Sequence, residues 1–269
     1  EMHQQQAIDS LQELVRSLWP DAMIDVYGSS YTRLALPVSD IDCVERQPWT
    51  KELELLGSAK IPVLKMTYSI DPTQQDVLLD LTCGHSVGHT GLGARDLIYS
   101  FQAEMPALRP LVLILKSHLL RNDLKCAFIG GISSYVLVIL VIRFLQVRCA
   151  CAGPQPKWCY IFSRNGRVTW RTGIGSLLML FLETYITFDY RHFGISIENE
   201  GFFFLLPPEK VVSSQVSVVI PYVADPIKPG RSICNCFRMH EVIQAWLALY
   251  QNLVAGAPLA ACIASGLNP

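Results

Sequence analysis

The chain has 269 residues, 51% of them hydrophobic, with 22 Lys and Arg against 23 Asp and Glu and a formal net charge of −1. That length holds one large domain or two small ones with ample core, and the near-neutral balance excludes RNA binding driven by overall charge. Nine cysteines at irregular spacing, without a Cys-x-x-Cys pair, argue against a disulfide scaffold and for an intracellular, reducing compartment.

Residues 4–18 carry Ile8, Leu11, Leu14, Val15 and Leu18 at helical spacing, and Pro20 stops that helix. Residues 23–27 then predict a short strand, broken by Gly28 and followed by Ser29 and Ser30. A helix starting near Ser29 points free N–H groups and its positive end at an anion. The next strand carries Asp40 and Asp42, two residues apart and therefore on one face. Carboxylates that close repel unless a cation lies between them, and oxygen-only ligation suits Mg²⁺. A phosphate cradle followed by a divalent-metal clamp is the apparatus of nucleotidyl transfer.

Further strands are expected over 61–66 and 77–83. Asp80 sits among apolar residues in the second of these, so its charge needs a metal or an ion-pair partner. From Ala103 the pattern turns helical: 111–120 is amphipathic and carries Lys116 and His118, and 132–146 is almost wholly apolar. The uncharged stretch 126–142 is interrupted by Gly130-Gly131 and Ser133-Ser134 and is shorter than the ~20 residues of a membrane span, so a buried helix and no membrane partner are expected. No signal-peptide pattern opens the sequence.

Residues 158–171 alternate about Asn165-Gly166, a hairpin signal. Between Asp123 and Glu183 there is no acid, but Lys125, Arg143, Arg148, Lys157, Arg164, Arg167 and Arg171 are present. With Trp158, Tyr160, Phe162 and Trp170 interleaved, that stretch suits either single-stranded RNA or a structural hairpin with solvated arginines. A helix over 177–185, short strands over 193–197 and 201–204, and an amphipathic helix over 239–253 follow, with a frayed tail expected after Ala255. His85 and His89 read as surface histidines, and the irregular cysteines, Cys234 and Cys236 among them, as buried thiols in preference to zinc ligands.

Gly28-Ser29, Ser39-Asp40-Ile41-Asp42, Gly131-Ile132-Ser133-Ser134-Tyr135 and Asp225-Pro226, with Leu-Trp-Pro at 18–20, stand in family order. On these motifs the chain resembles the DNA polymerase β superfamily of nucleotidyltransferases. Within it, the chain is similar to the noncanonical poly(A) polymerase and terminal uridylyltransferase branch, from about residue 14 to about residue 253. The resemblance implies an α/β, bilobal fold: a small mixed-sheet catalytic lobe over 20–100, and a mostly helical lobe over 101–265 with helix 4–18 packed on it. The active site would lie in the cleft.

It further implies Asp80 as a third carboxylate beside Asp40 and Asp42 at Mg²⁺ (or Mn²⁺). Gly28, Ser29, Ser30, Lys116 and Ser134 would hold the triphosphate, Thr90 and Gly91 the ribose, and Tyr135 the base, with Asp225 in the base-recognition loop. Arg164, Arg167 and Arg171 remain the candidate RNA contacts. The implied partners are a ribonucleoside triphosphate and the 3′ end of single-stranded RNA, with a protein complex as a further source of RNA affinity. Family members usually have a helix just before the strand that residues 59–65 resemble, and no room for it is evident here. They also carry a second lysine where this chain has Leu120, and Lys228 stands where uridylyltransferases place an acid.

The expected activity is addition of UMP from UTP to an RNA 3′-hydroxyl, with ATP as the alternative. The compact chain is similar to the minimal uridylyltransferases of trypanosomatids, which would place it in mitochondria; otherwise nucleus or cytoplasm is expected. A catalytically inactive RNA-binding scaffold and a small-molecule nucleotidyltransferase are the rivals. Three carboxylates argue against the first, and the basic aromatic hairpin argues against the second.

Overall fold

The computed structural model, which describes residues 2–18, 25–27, 32, 50–56, 63–69, 76–82, 90–150, 160–162, 168–170, 173–211 and 218–263, opens with helix α1 (Met2–Leu18). Ala7, Leu11 and Val15 recur at helical spacing and are buried with Tyr68, Val77 and Leu79 in one core. The last three belong to strands β2 (Val63–Tyr68) and β3 (Val77–Thr82), which pair antiparallel, with β1 (Thr50–Leu56) on the other side of β2. The expectation that helix 4–18 packs on the second lobe is therefore corrected. Its apolar stripe matches the inward face of this sheet, where Val77 and Leu79 are buried and Leu78 between them is exposed.

Strand β1 also replaces the helix that the family resemblance led one to look for in this part of the chain. Residues 25–27 belong to no strand, contrary to the short strand expected over 23–27. Helix α2 (Gly91–Glu104) follows the sheet, and the chain divides within it into two units, Glu1–Tyr99 and Ser100–Pro269.

The second unit is built from α3 (Leu108–Arg121), α4 (Ser134–Ala150), α5 (Ile174–Ile186) and α6 (Met239–Val254), with a short α7 (Leu259–Ile263). Val136 to Phe144 of α4 include seven fully buried aliphatic residues in succession, Val136 to Ile142, as an all-round apolar helix requires. Phe181 of α5 is the hub of an aromatic core, its ring 5.6 Å from Phe144, 4.8 Å from Tyr185 and 5.5 Å from Trp246. Two hairpins complete the unit: β4 (Tyr160–Phe162) with β5 (Val168–Trp170), and β6 (Phe193–Ser196) with β7 (Phe202–Leu205).

Two further expectations are revised. Arg143, counted among residues facing a polyanion, is buried on α4 with its guanidinium 4.3 Å from the Phe203 ring centroid, and burial lowers its pKa. The tail after Ala255 is held, not frayed, as far as Ile263: Arg121 donates to the Ala261 carbonyl, and the His118 ring meets the carbonyls of Cys262 (3.2 Å) and Ala245 (3.0 Å). Among the described residues no helix is long and apolar enough to cross a membrane.

Candidate active site

Gly28, Ser29, Ser30, Asp40 and Asp42 lie outside the described residues, as do Arg164, Arg167, Arg171, Trp158, His85 and His89. The approach to the Gly-Ser turn is described, however. The Tyr27 hydroxyl lies 2.7 Å from Thr82 Oγ1 at the end of β3, and Arg95 of α2 donates to Asp25 Oδ1 (3.3 Å) and the Val26 carbonyl (3.1 Å). The residues leading into Gly28 are thus tied to β3, two positions beyond Asp80, and to α2. Thr90 and Gly91 form the start of α2, where the Thr90 carbonyl accepts from Ala94 (2.9 Å).

Asp80 projects from β3 on the face opposite α1, since it alternates with the buried Val77 and Leu79 side. Lys65 stands directly across from it on β2 and places Nζ 2.8 and 2.9 Å from its two carboxylate oxygens. The side chains are 39% and 19% exposed, so this partly exposed pair contributes about 0–1 kcal/mol by itself. Asp40, Asp42 and Asp80 are hard oxygen donors without a thiol or imidazole among them, which is the donor set of Mg²⁺ or Mn²⁺. That chemistry fits the ion.

A difference experiment separates metal ligation from simple ion pairing. Asp80→Asn is expected to stop nucleotide addition, whereas Lys65→Met retains it within about tenfold; both variants keep their melting temperature within a few degrees. Equal loss in the two variants would show that Asp80 serves only its lysine.

In the second unit, the turn before α4 positions Ser134 and Tyr135, the residues expected to meet phosphate and base. Gly130 has φ +86° and Gly131 packs so closely that a Cβ there would lie 2.3 Å from the Leu124 carbonyl oxygen. Gly131 N–H donates to Cys126 and Ile132 N–H to Leu124, which aims the chain into α4. Ser133 then caps the helix, its Oγ accepting from Val136 N–H at 3.2 Å. Ser134, the next residue, keeps a hydroxyl with no hydrogen bond among the described residues, at the positive end of α4. Lys116 on α3 is 1% exposed, and an ammonium that deep is sustained by paired charge or hydrogen bonds.

Tyr135 is half-buried, and its hydroxyl has no hydrogen-bond partner among the described residues. Burial is the first cause that raises its pKa; the charge of Asp225 adds to this and that of Arg231 opposes it. The loop 225–231 therefore lies within electrostatic reach of the tyrosine. Asp225 itself is 1% exposed, with both carboxylate oxygens engaged inside its own loop. Asp225, expected to meet the nucleotide, thus spends both carboxylate oxygens on holding its own loop. Sequence reasoning passed over Arg231, the cation that pairs with it; the available signal was a basic residue six positions after Asp225. Cys234 and Cys236 are buried, and burial pushes their thiols up to about 11 and about 12, so both remain protonated at neutral pH.

No protein-family model matches the chain. It is 30% identical over 220 residues to the poly(A) RNA polymerase cid14 of Schizosaccharomyces pombe, a match covering 73% of this chain and 29% of that protein. It is also 30% identical over 217 residues to the inactive noncanonical poly(A) RNA polymerase protein Trf4-2 of Drosophila melanogaster, covering 72% of this chain and 49% of the relative. The chain thus spans less than half the length of either relative. The mitochondrial expectation draws no support from these proteins.

Among solved structures, the polymerase core of TRAMP, an RNA surveillance complex, matches with a TM-score of 0.73 at 22% identity, over 97% of this chain and 84% of that one. The Cid1 poly(U) polymerase matches with a TM-score of 0.73 at 16% identity, over 98% and 92%. Helices and small sheets follow the fold of these two structures, and the relatives that the chain resembles are noncanonical poly(A) RNA polymerases of the polymerase β-like nucleotidyltransferase branch.

Proposed function

We propose that the chain is a template-independent RNA 3′-terminal nucleotidyltransferase that transfers UMP from UTP to the 3′-hydroxyl of single-stranded RNA. The observation that carries the enzyme reading is the complete carboxylate set, Asp40, Asp42 and Asp80, in a chain that resembles these polymerases. It counts against the inactive scaffold, a reading kept in view because one 30% identical relative is named inactive. Adenylyl transfer is the second reading, favoured by the name poly(A) RNA polymerase that a relative bears.

Asp40, Asp42 and Asp80 would hold the divalent cations, which when bound offset charge at the α-phosphate and acidify the attacking hydroxyl. Ser29 with neighbouring backbone N–H groups, Lys116 and Ser134 hold the triphosphate. Gly28 and Ser30 belong to the same nucleotide-binding stretch. Thr90 and Gly91 meet the ribose, and Tyr135 offers its face to the base. Arg164, Arg167 and Arg171 bind RNA phosphates. A companion protein supplying RNA affinity fits a chain with a formal net charge of −1.

Labelled single-stranded RNA incubated with each triphosphate separately tests the whole reading. Extension with UTP supports it, extension with ATP alone moves the choice to adenylyl transfer, and no extension with any triphosphate overturns it. A second test concerns Tyr135, whose hydroxyl lacks a hydrogen-bond partner among the described residues. Tyr135→Ala is expected to raise KM by a factor equivalent to about 1–3 kcal/mol, whereas Tyr135→Phe keeps the stacking face and the wild-type KM. Should the two variants raise KM alike, the ring would be a packing element and not the base platform.

A further inference from the structure

The loop 225–231 is closed by one carboxylate. Asp225 Oδ1 accepts from Ile227 N–H at 2.8 Å, while Oδ2 accepts from Arg231 Nε at 2.6 Å and lies 2.5 Å from Arg231 Nη2. The Asp225 backbone N–H returns to the Arg231 carbonyl at 3.0 Å, and Gly230 turns the chain with φ +85°. Pro226 and Pro229 remove further freedom. The guanidinium is therefore fixed in orientation by a buried anion, yet the Arg231 side chain remains 34% exposed. Its Nη1 makes no hydrogen bond among the described residues.

Three facts set what such a group can do. A guanidinium only donates hydrogen bonds and never accepts them. Its charge is already matched by Asp225, which reduces its pull on distant phosphates. It shares its surroundings with Tyr135, on whose hydroxyl Asp225 and Arg231 both act electrostatically. A fixed donor within electrostatic reach of that ring can address the edge of a base resting on it.

We propose that Arg231, oriented by Asp225, is a specificity-determining residue that donates from Nη1 to the keto oxygen at C4 of uracil or C6 of guanine in the incoming base. It thereby favours uracil and guanine over adenine and cytosine. The proposal rests on the placement of the base against Tyr135 given above. Uracil O4 and guanine O6 accept such a bond, whereas the amino groups of adenine and cytosine present a donor to a donor and leave both unsatisfied. Asp225 is then a positioning residue, acting through Arg231 without touching the base.

The test measures kcat and KM for UTP, GTP, ATP and CTP with single-stranded RNA, together with equilibrium binding of each triphosphate without RNA. The wild-type chain is compared with Arg231→Lys, Arg231→Ala and Asp225→Asn. Wild-type KM should be lower for UTP and GTP. Arg231→Lys, which keeps the cation beside Asp225 but loses the fork, should raise KM for those two about tenfold to a hundredfold while kcat holds.

Under Arg231→Lys, KM for ATP and CTP should stay within about twofold. Arg231→Ala and Asp225→Asn should erase the keto preference likewise, and any fall in their melting temperature is measured separately. Equal loss for all four triphosphates would overturn the proposal and make Arg231 a phosphate contact. A wild-type preference for ATP, or an unchanged preference in Arg231→Lys, would also overturn it. A chain that binds UTP and GTP best but extends no RNA overturns the transfer reading and leaves the role of Arg231 standing.

Discussion

Replacing Asp40 and Asp42 together with alanine is expected to abolish nucleotide addition while the chain melts within a few degrees of the wild type. The two carboxylates are separated by one residue, so on a strand they share a face and can grip one cation between them. Both carry negative charge, so their removal relieves mutual repulsion. Divalent-metal stabilisation of phosphoryl transfer amounts to several kcal/mol, which is about a thousandfold or more in rate. Chelation of Mg²⁺ by EDTA should reproduce the loss in the wild type, and adding Mg²⁺ back should restore it there but not in the double variant. Activity within tenfold of wild type in the double variant would sink the assignment of the metal clamp.

Gly131→Ala should produce the largest structural loss. A Cβ at this position would lie 2.3 Å from the Leu124 carbonyl oxygen, 2.7 Å from its carbon and 2.8 Å from the Cys126 oxygen, all backbone atoms that cannot rotate away. Those same carbonyls accept the hydrogen bonds of Gly131 and Ile132, so relief of the clash breaks the turn that leads into α4. Overpacking of this kind costs about 3 kcal/mol, or roughly 6–12 °C in melting temperature for a unit of this size. Because Ser134 and Tyr135 follow within four residues, the surviving folded fraction should also bind triphosphate more weakly. A melting temperature within 2 °C of wild type, by calorimetry at about 1 kcal/mol resolution, would show that the turn can shift without strain.

Local patterns were legible where a residue's own neighbours decide its state. The spacing of Ile8, Leu11, Leu14, Val15 and Leu18 announces an amphipathic helix with an apolar stripe, and Asn165-Gly166 announces the hairpin of β4 and β5. What the stripe packs against is not written in it. Any flat apolar face would satisfy α1, and only the structure shows that Tyr68, Val77 and Leu79 provide it.

The same limit explains Arg143. A basic residue in an acid-free run reads as surface, but its position on an all-round apolar helix, over Phe203, places it inside. Strand β1 was hidden for a different reason: the resemblance offers only a helix for that part of the chain, without evident room for one, and the alternating Leu53, Glu54, Leu55 was passed over. At the site, the motif pointed to Ser134 and Tyr135, but helix geometry decides that Ser133 is the cap and that the Ser134 hydroxyl has no hydrogen bond among the described residues.

The clasp between Asp225 and Arg231 ties two positions to a common history. Loss of the arginine alone strands a carboxylate that is 1% exposed, and breaking a buried pair from one side costs about 3–5 kcal/mol. A descendant that drifts to a neutral residue at 231 must find another cation for Asp225 or surrender the acid in the same step. Substitutions at these two sites should therefore arrive in pairs, and a laboratory selection for altered nucleotide choice should recover double variants far more often than single ones.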